Sequence, residues 1–334
     1  MEPLLILSFI ISLATTVFLI PFWIKKAKEI GLIWDDMNKT KAEKVAGSGG
    51  IIVVLGFVLG VLLYIAIKTF YLNSSENIVE IFSLLSVVLI VGGVGLIDDL
   101  FGWQKGGLSV WSRLVLIAFA AIPLMVINAG NHVIYIPFIG QISLGIIYPL
   151  IFIPIGIIGA STTFNFLAGY NGLEASQGII ILSSLSLASF ITGSTWLSLI
   201  SMCMVFSLVG FLYYNKFPAR VFPGDILTYS IGALIAIMAI LGNYEMFALF
   251  IFMPYILETI LKLRGKLKKS SFGKPQKDGS IKNQYSKIYG LEHLAILILE
   301  KIKKSKKAYE WEVVMLINIF QLILIVIGFL VFLK

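Results

Sequence analysis

An all-α polytopic membrane protein with about ten transmembrane helices is the fold class this sequence predicts, on three observations. Of 334 residues, 58% are apolar and 13% charged, against a charged share of about 25% in ordinary soluble domains. The apolar residues gather in runs close to the roughly 20 residues a helix needs to cross the hydrocarbon core. The basic residues fall in alternate connections between those runs, which is the asymmetry that sets membrane orientation. A soluble globular enzyme is thereby excluded. The single cysteine, Cys203, excludes a disulfide framework or a thiolate metal cluster. No soluble basic module with interleaved aromatics accompanies the net charge of +8, so nucleic acid is not an expected partner.

In chain order the apolar runs lie at about 3–24, 50–68, 79–97, 110–128, 146–165, 178–193, 196–214, 226–242, 244–262 and 313–333. Lipid cannot satisfy backbone N–H and C=O groups, so runs of this length are predicted as helices. Pro21, Pro123, Pro149, Pro154 and Pro254 kink or end them. The first run, with Glu2 before it and Lys25, Lys26 and Lys28 after it, reads as an uncleaved anchor. Six basic residues fall in 25–48, two in 98–113, two in 215–225 and fourteen in 262–310. Those loops are expected in the cytoplasm, which puts both termini outside. The whole chain, 1–334, reads as one membrane domain, with 263–310 a cytoplasmic loop inserted in it. Within that loop Asp278-Gly279 signals a small β-hairpin. From Ile288 onward, Leu291, Leu294, Ala295, Ile298 and Ile302 recur at helical spacing before a lysine cluster at 301–307, predicting an amphipathic helix on the membrane surface.

Three polar clusters interrupt this apolar chain. Asp98 and Asp99 end a glycine-rich apolar run, and adjacent acids at a membrane boundary repel unless a cation or proton intervenes. Asn165 to Glu174 supplies two carboxamides, a carboxylate and two glycines; glycine admits a ligand to the backbone, and such oxygens suit a hard cation such as Mg²⁺. In Lys216 to Asp225, Arg220 suits a phosphate, Phe222 a base ring and Asp225 a cation. A solvated helix end, a turn and a positive-inside loop would each explain one cluster alone. By the span count, however, all three emerge on the same face as the basic loop 262–310. A transporter would instead concentrate its polar groups near the bilayer midplane. Glu258, inside the ninth run, is one turn from Lys262 and is expected to pair with it. His132 and His293 lack metal-motif spacing and are not expected to carry chemistry.

With these residues in view, the chain resembles the polyprenyl-phosphate N-acetylhexosamine-1-phosphate transferases, most closely the eukaryotic and archaeal type that uses UDP-GlcNAc and dolichyl phosphate. The resemblance covers nearly the whole length. It rests on Asn165 to Gln177 and Arg220 to Asp225, supported by Asp36-Met37-Asn38-Lys39-Thr40 and the Asp98-Asp99 pair. It implies Asn165 and Asp225 as ligands of Mg²⁺, with Mn²⁺ able to substitute. It implies Phe222 as the uracil-stacking ring and Gly169, Asn171 and Glu174 as sugar-nucleotide contacts. Asp98 and Asp99 would serve the lipid phosphate. The family's lysine after the aspartate pair has Arg113 as its nearest match, with Lys105 as a rival. Thr162 stands where relatives carry an asparagine. Phe272-Gly273-Lys274-Pro275-Gln276 stands where the eukaryotic members carry His-Arg-x-Pro-Arg, making Lys274 the candidate diphosphate contact.

The reaction so implied moves N-acetylhexosamine-1-phosphate, GlcNAc-1-phosphate foremost, from a UDP-sugar to a polyprenyl or dolichyl phosphate, releasing UMP. Its lipid-linked diphosphate sugar would feed glycan assembly, protein N-glycosylation in the nearest relatives. The partners are the UDP-N-acetylhexosamine, the lipid phosphate and membrane lipids, and a homodimer is compatible with the resemblance. The membrane would be the cell membrane, or the endoplasmic reticulum in a eukaryote. The alternatives are a bacterial-type phospho-MurNAc-pentapeptide transferase and, from another class, a lipid or cation transporter.

Overall fold

A computed structural model describes residues 3–41, 43–136 and 140–333, without the side chains of 103–105, 135 and 136. Among the described residues seven helices are long and apolar enough to cross a membrane: Pro3–Ile30, Gly50–Tyr71, Ile78–Gly102, Leu173–Ile191, Thr195–Asn215, Gly224–Gly242 and Glu310–Phe332. An eighth candidate is the pair Glu245–Ile251 and Met253–Arg264, bent by 57°, with Pro254 in the first turn of the second member. Two shorter apolar helical stretches, Val110–Val126 and Tyr148–Phe164, fall on the remaining predicted runs. The protein is thus a largely helical integral membrane protein with seven or eight candidate spans of full length among the described residues, short of the predicted ten unless the two shorter stretches also cross.

Helix packing here depends on close backbone approach, because lipid tails offer no hydrophobic drive between helices. Helices α1 (Ile6–Ile30) and α2 (Gly50–Ala66) meet along Gly56 and Gly60, where an added Cβ would collide with Thr16 and Ser12 respectively. The centre of the bundle is α9 (Gly224–Gly242), buried along almost its whole length. It packs on α3 (Ile78–Lys105), α6 (Ile153–Phe164) and α2. Gly95 of α3 touches the Asp225–Ile226 backbone so closely that a Cβ would lie 2.6 Å from it. The glycine-rich run before Asp98 therefore has a packing cause: it seats the first turn of α9 directly on α3.

Among the described residues three small antiparallel strand pairs connect the helices. Strands β1 (Ile33–Asp35) and β2 (Lys44–Ala46) pair, as do β3 (Val133–Ile136) and β4 (Gly140–Ser143), and β5 (Lys274–Pro275) and β6 (Ile281–Lys282). The last is the hairpin read from Asp278-Gly279, with Gly279 at φ +80°. The first two had no comparable turn signal. The amphipathic helix forms as α12 (Leu291–Ile302), with Leu291, Glu292, His293, Ala295 and Ile296 buried. That face packs on α11 (Met253–Arg264) and α13 (Glu310–Phe332), so part of its apolar stripe serves protein contact. Glu258 and Lys262 form the expected pair at 3.4 Å.

Candidate active site

A cavity of about 650 Å³ opens at the end of the bundle where α3, α6 and α9 meet the loops. Its lining contains nine of the eleven residues singled out in the sequence: Asp98, Asp99, Arg113, Asn165, Gly169, Asn171, Glu174, Phe222 and Asp225. Arg220 and Lys274 are exposed and lie outside that lining. The side chain of Lys105, the rival to Arg113, falls outside the described residues.

The two neighbouring acids do different work. Asp98 accepts the Leu108 N–H at 2.6 Å on one oxygen and an Arg113 guanidinium N–H at 3.0 Å on the other. Arg113 also reaches the Tyr229 hydroxyl at 3.3 Å, so it is tied to both α3 and α9. Asp99 turns away from the guanidinium and accepts the N–H groups of Asp225 at 2.7 Å and Ile226 at 3.4 Å. Helix α9 has no N-cap side chain of its own, and a carboxylate there satisfies orphan donors and complements the helix dipole. Gly224 (φ +73°) is pressed against the Asp99 carboxylate, leaving no space for a side chain.

Asp225, in the first turn of α9, accepts from the Asn165 side-chain amide at 3.1 Å, while Asn165 Oδ1 accepts from the Thr228 hydroxyl at 3.1 Å. In this arrangement Asn165 offers nitrogen to Asp225 and its oxygen to Thr228, so it orients the carboxylate while its oxygen keeps one lone pair. Asp98 and Asp225 line the same cavity. Three carboxylates thus gather beside one guanidinium that bonds only Asp98 among them, an excess of buried negative charge that a cation or proton must offset. Among the described residues no three His, Cys, Asp or Glu groups form a metal cage. The donors therefore fit a hard divalent ion that takes one or two carboxylates and fills its shell with phosphate oxygens and water, as Mg²⁺ does.

Phe222 is held by backbone on both sides: its N–H donates to Ala46 O at 2.7 Å and its carbonyl accepts the Gly49 N–H at 2.8 Å. Asn215 adds a bond to the Val221 carbonyl at 2.9 Å. The ring therefore projects from a fixed strand-like segment beside Asp225. At the same end, Gly169 (φ +102°) adopts a conformation that favours glycine. Its N–H is held by the buried Glu174 at 2.7 Å, so Glu174 braces the loop. Asn171 spends its side-chain N–H₂ on Asp36 at 3.0 Å.

Sequence reading missed Trp34, Ser48, Tyr229 and Phe272, of which Trp34, Ser48 and Phe272 line the cavity. It also did not place Asp36 and Asn38 in the site, although their segment had been noticed. Phe272 was visible only as a departure from the eukaryotic signature, and it lies against the open face of Gly169.

Comparison with known proteins agrees with this geometry. The glycosyl transferase family 4 profile matches residues 81–243, a stretch holding the two aspartates, Arg113, the Asn165–Glu174 loop and Asp225. A protein of Saccharolobus solfataricus, provisionally named as a UDP-N-acetylglucosamine–dolichyl-phosphate N-acetylglucosaminephosphotransferase, is 38% identical over 83% of this chain and 82% of its own length. A Sulfolobus acidocaldarius protein of the same provisional name is 33% identical over 88% of each chain. More distant is a Bacillus subtilis protein named as a probable undecaprenyl-phosphate N-acetylglucosaminyl 1-phosphate transferase, 25% identical over 88% of this chain and 81% of its own. On its sequence matches and the site they span, the chain belongs to glycosyl transferase family 4.

Proposed function

We propose that this chain transfers GlcNAc-1-phosphate from UDP-GlcNAc to a polyprenyl phosphate of the dolichol type, releasing UMP and leaving a lipid-linked diphosphate sugar. The observation that carries the reading is that Asp98 and Arg113 from one part of the chain and Phe222 and Asp225 from another line one cavity of about 650 Å³. A ring for a base, an acid for a cation and a guanidinium for a phosphate are what two anionic reactants, one a nucleotide, require. The names of the two archaeal relatives favour GlcNAc and dolichyl phosphate over a peptide-bearing muramyl donor.

In this reading Phe222 stacks on the uracil and the Gly169–Asn171 backbone borders the nucleotide and sugar. Arg113, oriented by Asp98 and Tyr229, pairs with the phosphate of the lipid acceptor. That phosphate needs no strong base, because a phosphate monoester with its second pKa near about 6 is largely ionised at pH 7. Asp98 therefore orients the acceptor through Arg113 and does not take its proton. Asp99 fixes the first turn of α9 and so the direction of Asp225. Asp225, its carboxylate steadied by Asn165, and Asp98 would hold a Mg²⁺ ion, which when bound would supply positive charge for the diphosphate and the departing UMP.

The same reading takes the seven long helices, the bent pair and the two shorter stretches as ten crossings, with both termini outside and the cavity facing the cytoplasm. Support comes from the cavity drawing on segments beside the basic loops 25–48, 98–113 and 215–225 and on Phe272 of the most basic loop. The test is UMP release by the purified protein from UDP-GlcNAc, with and without polyprenyl phosphate. Acceptor-dependent UMP supports the transferase; none, with lipid or ion flux in vesicles, would favour a transporter.

A further inference from the structure

Glu310 is the first residue of α13, yet its carboxylate is not used to start that helix. Glu312 forms the capping box with Tyr309, accepting its backbone N–H at 3.0 Å, and is itself neutralised by Lys303 at 2.6 Å. Glu310 is buried, 3% exposed, and reaches across the molecule instead. Its Oε1 accepts the Asn171 N–H at 2.8 Å and the Asn38 side-chain amide at 3.3 Å, partners 139 and 272 residues away in sequence.

Asn38 extends the tie in two directions. Its amide nitrogen also donates to the Gly169 carbonyl at 3.1 Å, and its oxygen accepts the Gly273 N–H at 3.2 Å. Asn171 in turn holds Asp36 through its side chain. One carboxylate thus fixes three segments against each other: 36–38, 169–171 and 272–273. All three contribute to the cavity wall, and Phe272 packs on the open face of Gly169, where an added Cβ would sit 2.8 Å from its ring. The end of the cavity that holds Asp98, Arg113 and Asp225 is organised by α3, α4 (Val110–Ala120) and α9. No hydrogen bond among the described residues joins Glu310, Asn38 or Asn171 to that end.

We infer that Glu310 is a positioning residue for the sugar-nucleotide end of the site, acting through Asn38 and Asn171 to set the wall formed by Gly169 and Phe272. The inference rests on the transferase reading and adds to it a split between the two substrates. Removing the acceptor would leave buried donors unpaired, and positioning lost at one substrate's wall should register in that substrate's constants.

The experiment measures UDP-GlcNAc binding by calorimetry in neutral detergent, and KM for each substrate, for the wild type, Glu310→Gln, Glu310→Ala and Asn38→Ala. Glu310→Ala is expected to weaken UDP-GlcNAc binding and raise its KM about tenfold, leaving the KM for polyprenyl phosphate within about twofold. Glu310→Gln, which keeps an acceptor oxygen in place of Oε1, should remain within about threefold of the wild type. Asn38→Ala should reproduce the alanine phenotype, and the double alanine variant should be no worse than the poorer single one. If Glu310→Ala fails to fold, Asn38→Ala and Glu310→Gln decide by the same split. Unchanged UDP-GlcNAc binding in the alanine variants, an equal rise in both KM values, or additive losses would overturn the inference while leaving the transferase reading intact. A wild type that binds neither UDP-GlcNAc nor UMP would instead refute the transferase reading, and the inference with it.

Discussion

Asp99 accepts the backbone N–H of Asp225 at 2.7 Å, so the residue next to the Arg113 partner is the cap of the central helix. Two acids adjacent in sequence are thereby divided between stability and substrate. Asp99→Ala is expected to leave buried donors unpaired, costing about 1–3 kcal/mol, and to lower the thermal unfolding midpoint in detergent. Asp98→Asn, which keeps an oxygen for the Leu108 N–H but loses the charge facing Arg113, should lower turnover sharply with a much smaller thermal loss. Equal thermal losses for Asp99→Ala and Asp98→Asn would remove this distinction.

Arg113 holds both Asp98 and Tyr229 through one guanidinium nitrogen, so the rest of its planar fork can meet a phosphate in a way a lysine cannot reproduce. Arg113→Lys should therefore raise the KM for lipid phosphate by about tenfold or more with little change for UDP-GlcNAc. Tyr229→Phe removes one of the two anchors and should have a milder effect in the same direction. A shift confined to the UDP-GlcNAc KM would place Arg113 on the nucleotide instead.

The ring of Phe222 is fixed by bonds on both sides of its backbone. If it stacks on uracil, Phe222→Ala should weaken UDP and UMP binding by about 1–3 kcal/mol, typical of base stacking on an aromatic side chain. UMP affinity equal to that of the wild type would rule stacking out. Lys274, exposed on the β5–β6 hairpin, lies outside the cavity, and Lys274→Ala with Lys277→Ala should keep turnover within about twofold in neutral detergent.

Beneath the last loop, burial first and repulsion from Glu258 second hold Glu292 well above the usual carboxylate range, with Lys262 opposing. Such an acid contributes stability fully below its ordinary value of about 4.5, and that contribution is lost as pH rises through the elevated folded value. The unfolding midpoint should therefore fall as pH climbs above about 4.5, and Glu292→Gln should flatten that fall. Parallel curves for wild type and variant would show that Glu292 does not drive it.

Much of this architecture was legible because it is written locally. Apolar runs announce helices, and every predicted run coincides with one helix or a helix pair. Asp98, Asn165 and Asp225 stood out because polar residues in an apolar chain demand partners. What was not legible lies in long-range pairing and in side-chain direction. Arg220 and Phe222 are two positions apart on one segment, yet one is exposed and the other lines the cavity. No local pattern ties Glu310 to Asn38, and the separate duty of Asp99 depends on Gly95 letting α9 rest on α3. Asn165, read as an oxygen donor, turns its nitrogen to Asp225 because Thr228 takes the oxygen.

The central claim is phosphosugar transfer, and the fate of one phosphorus tests it most directly. UDP-GlcNAc labelled with ³²P at the phosphate bonded to the sugar is incubated with the purified protein, dolichyl phosphate and Mg²⁺. Transfer of GlcNAc-1-phosphate moves the label into the lipid fraction and releases unlabelled UMP, and Asp225→Asn suppresses that movement. Label recovered as UDP, with sugar alone on the lipid, or label that never leaves UDP-GlcNAc, would contradict the account.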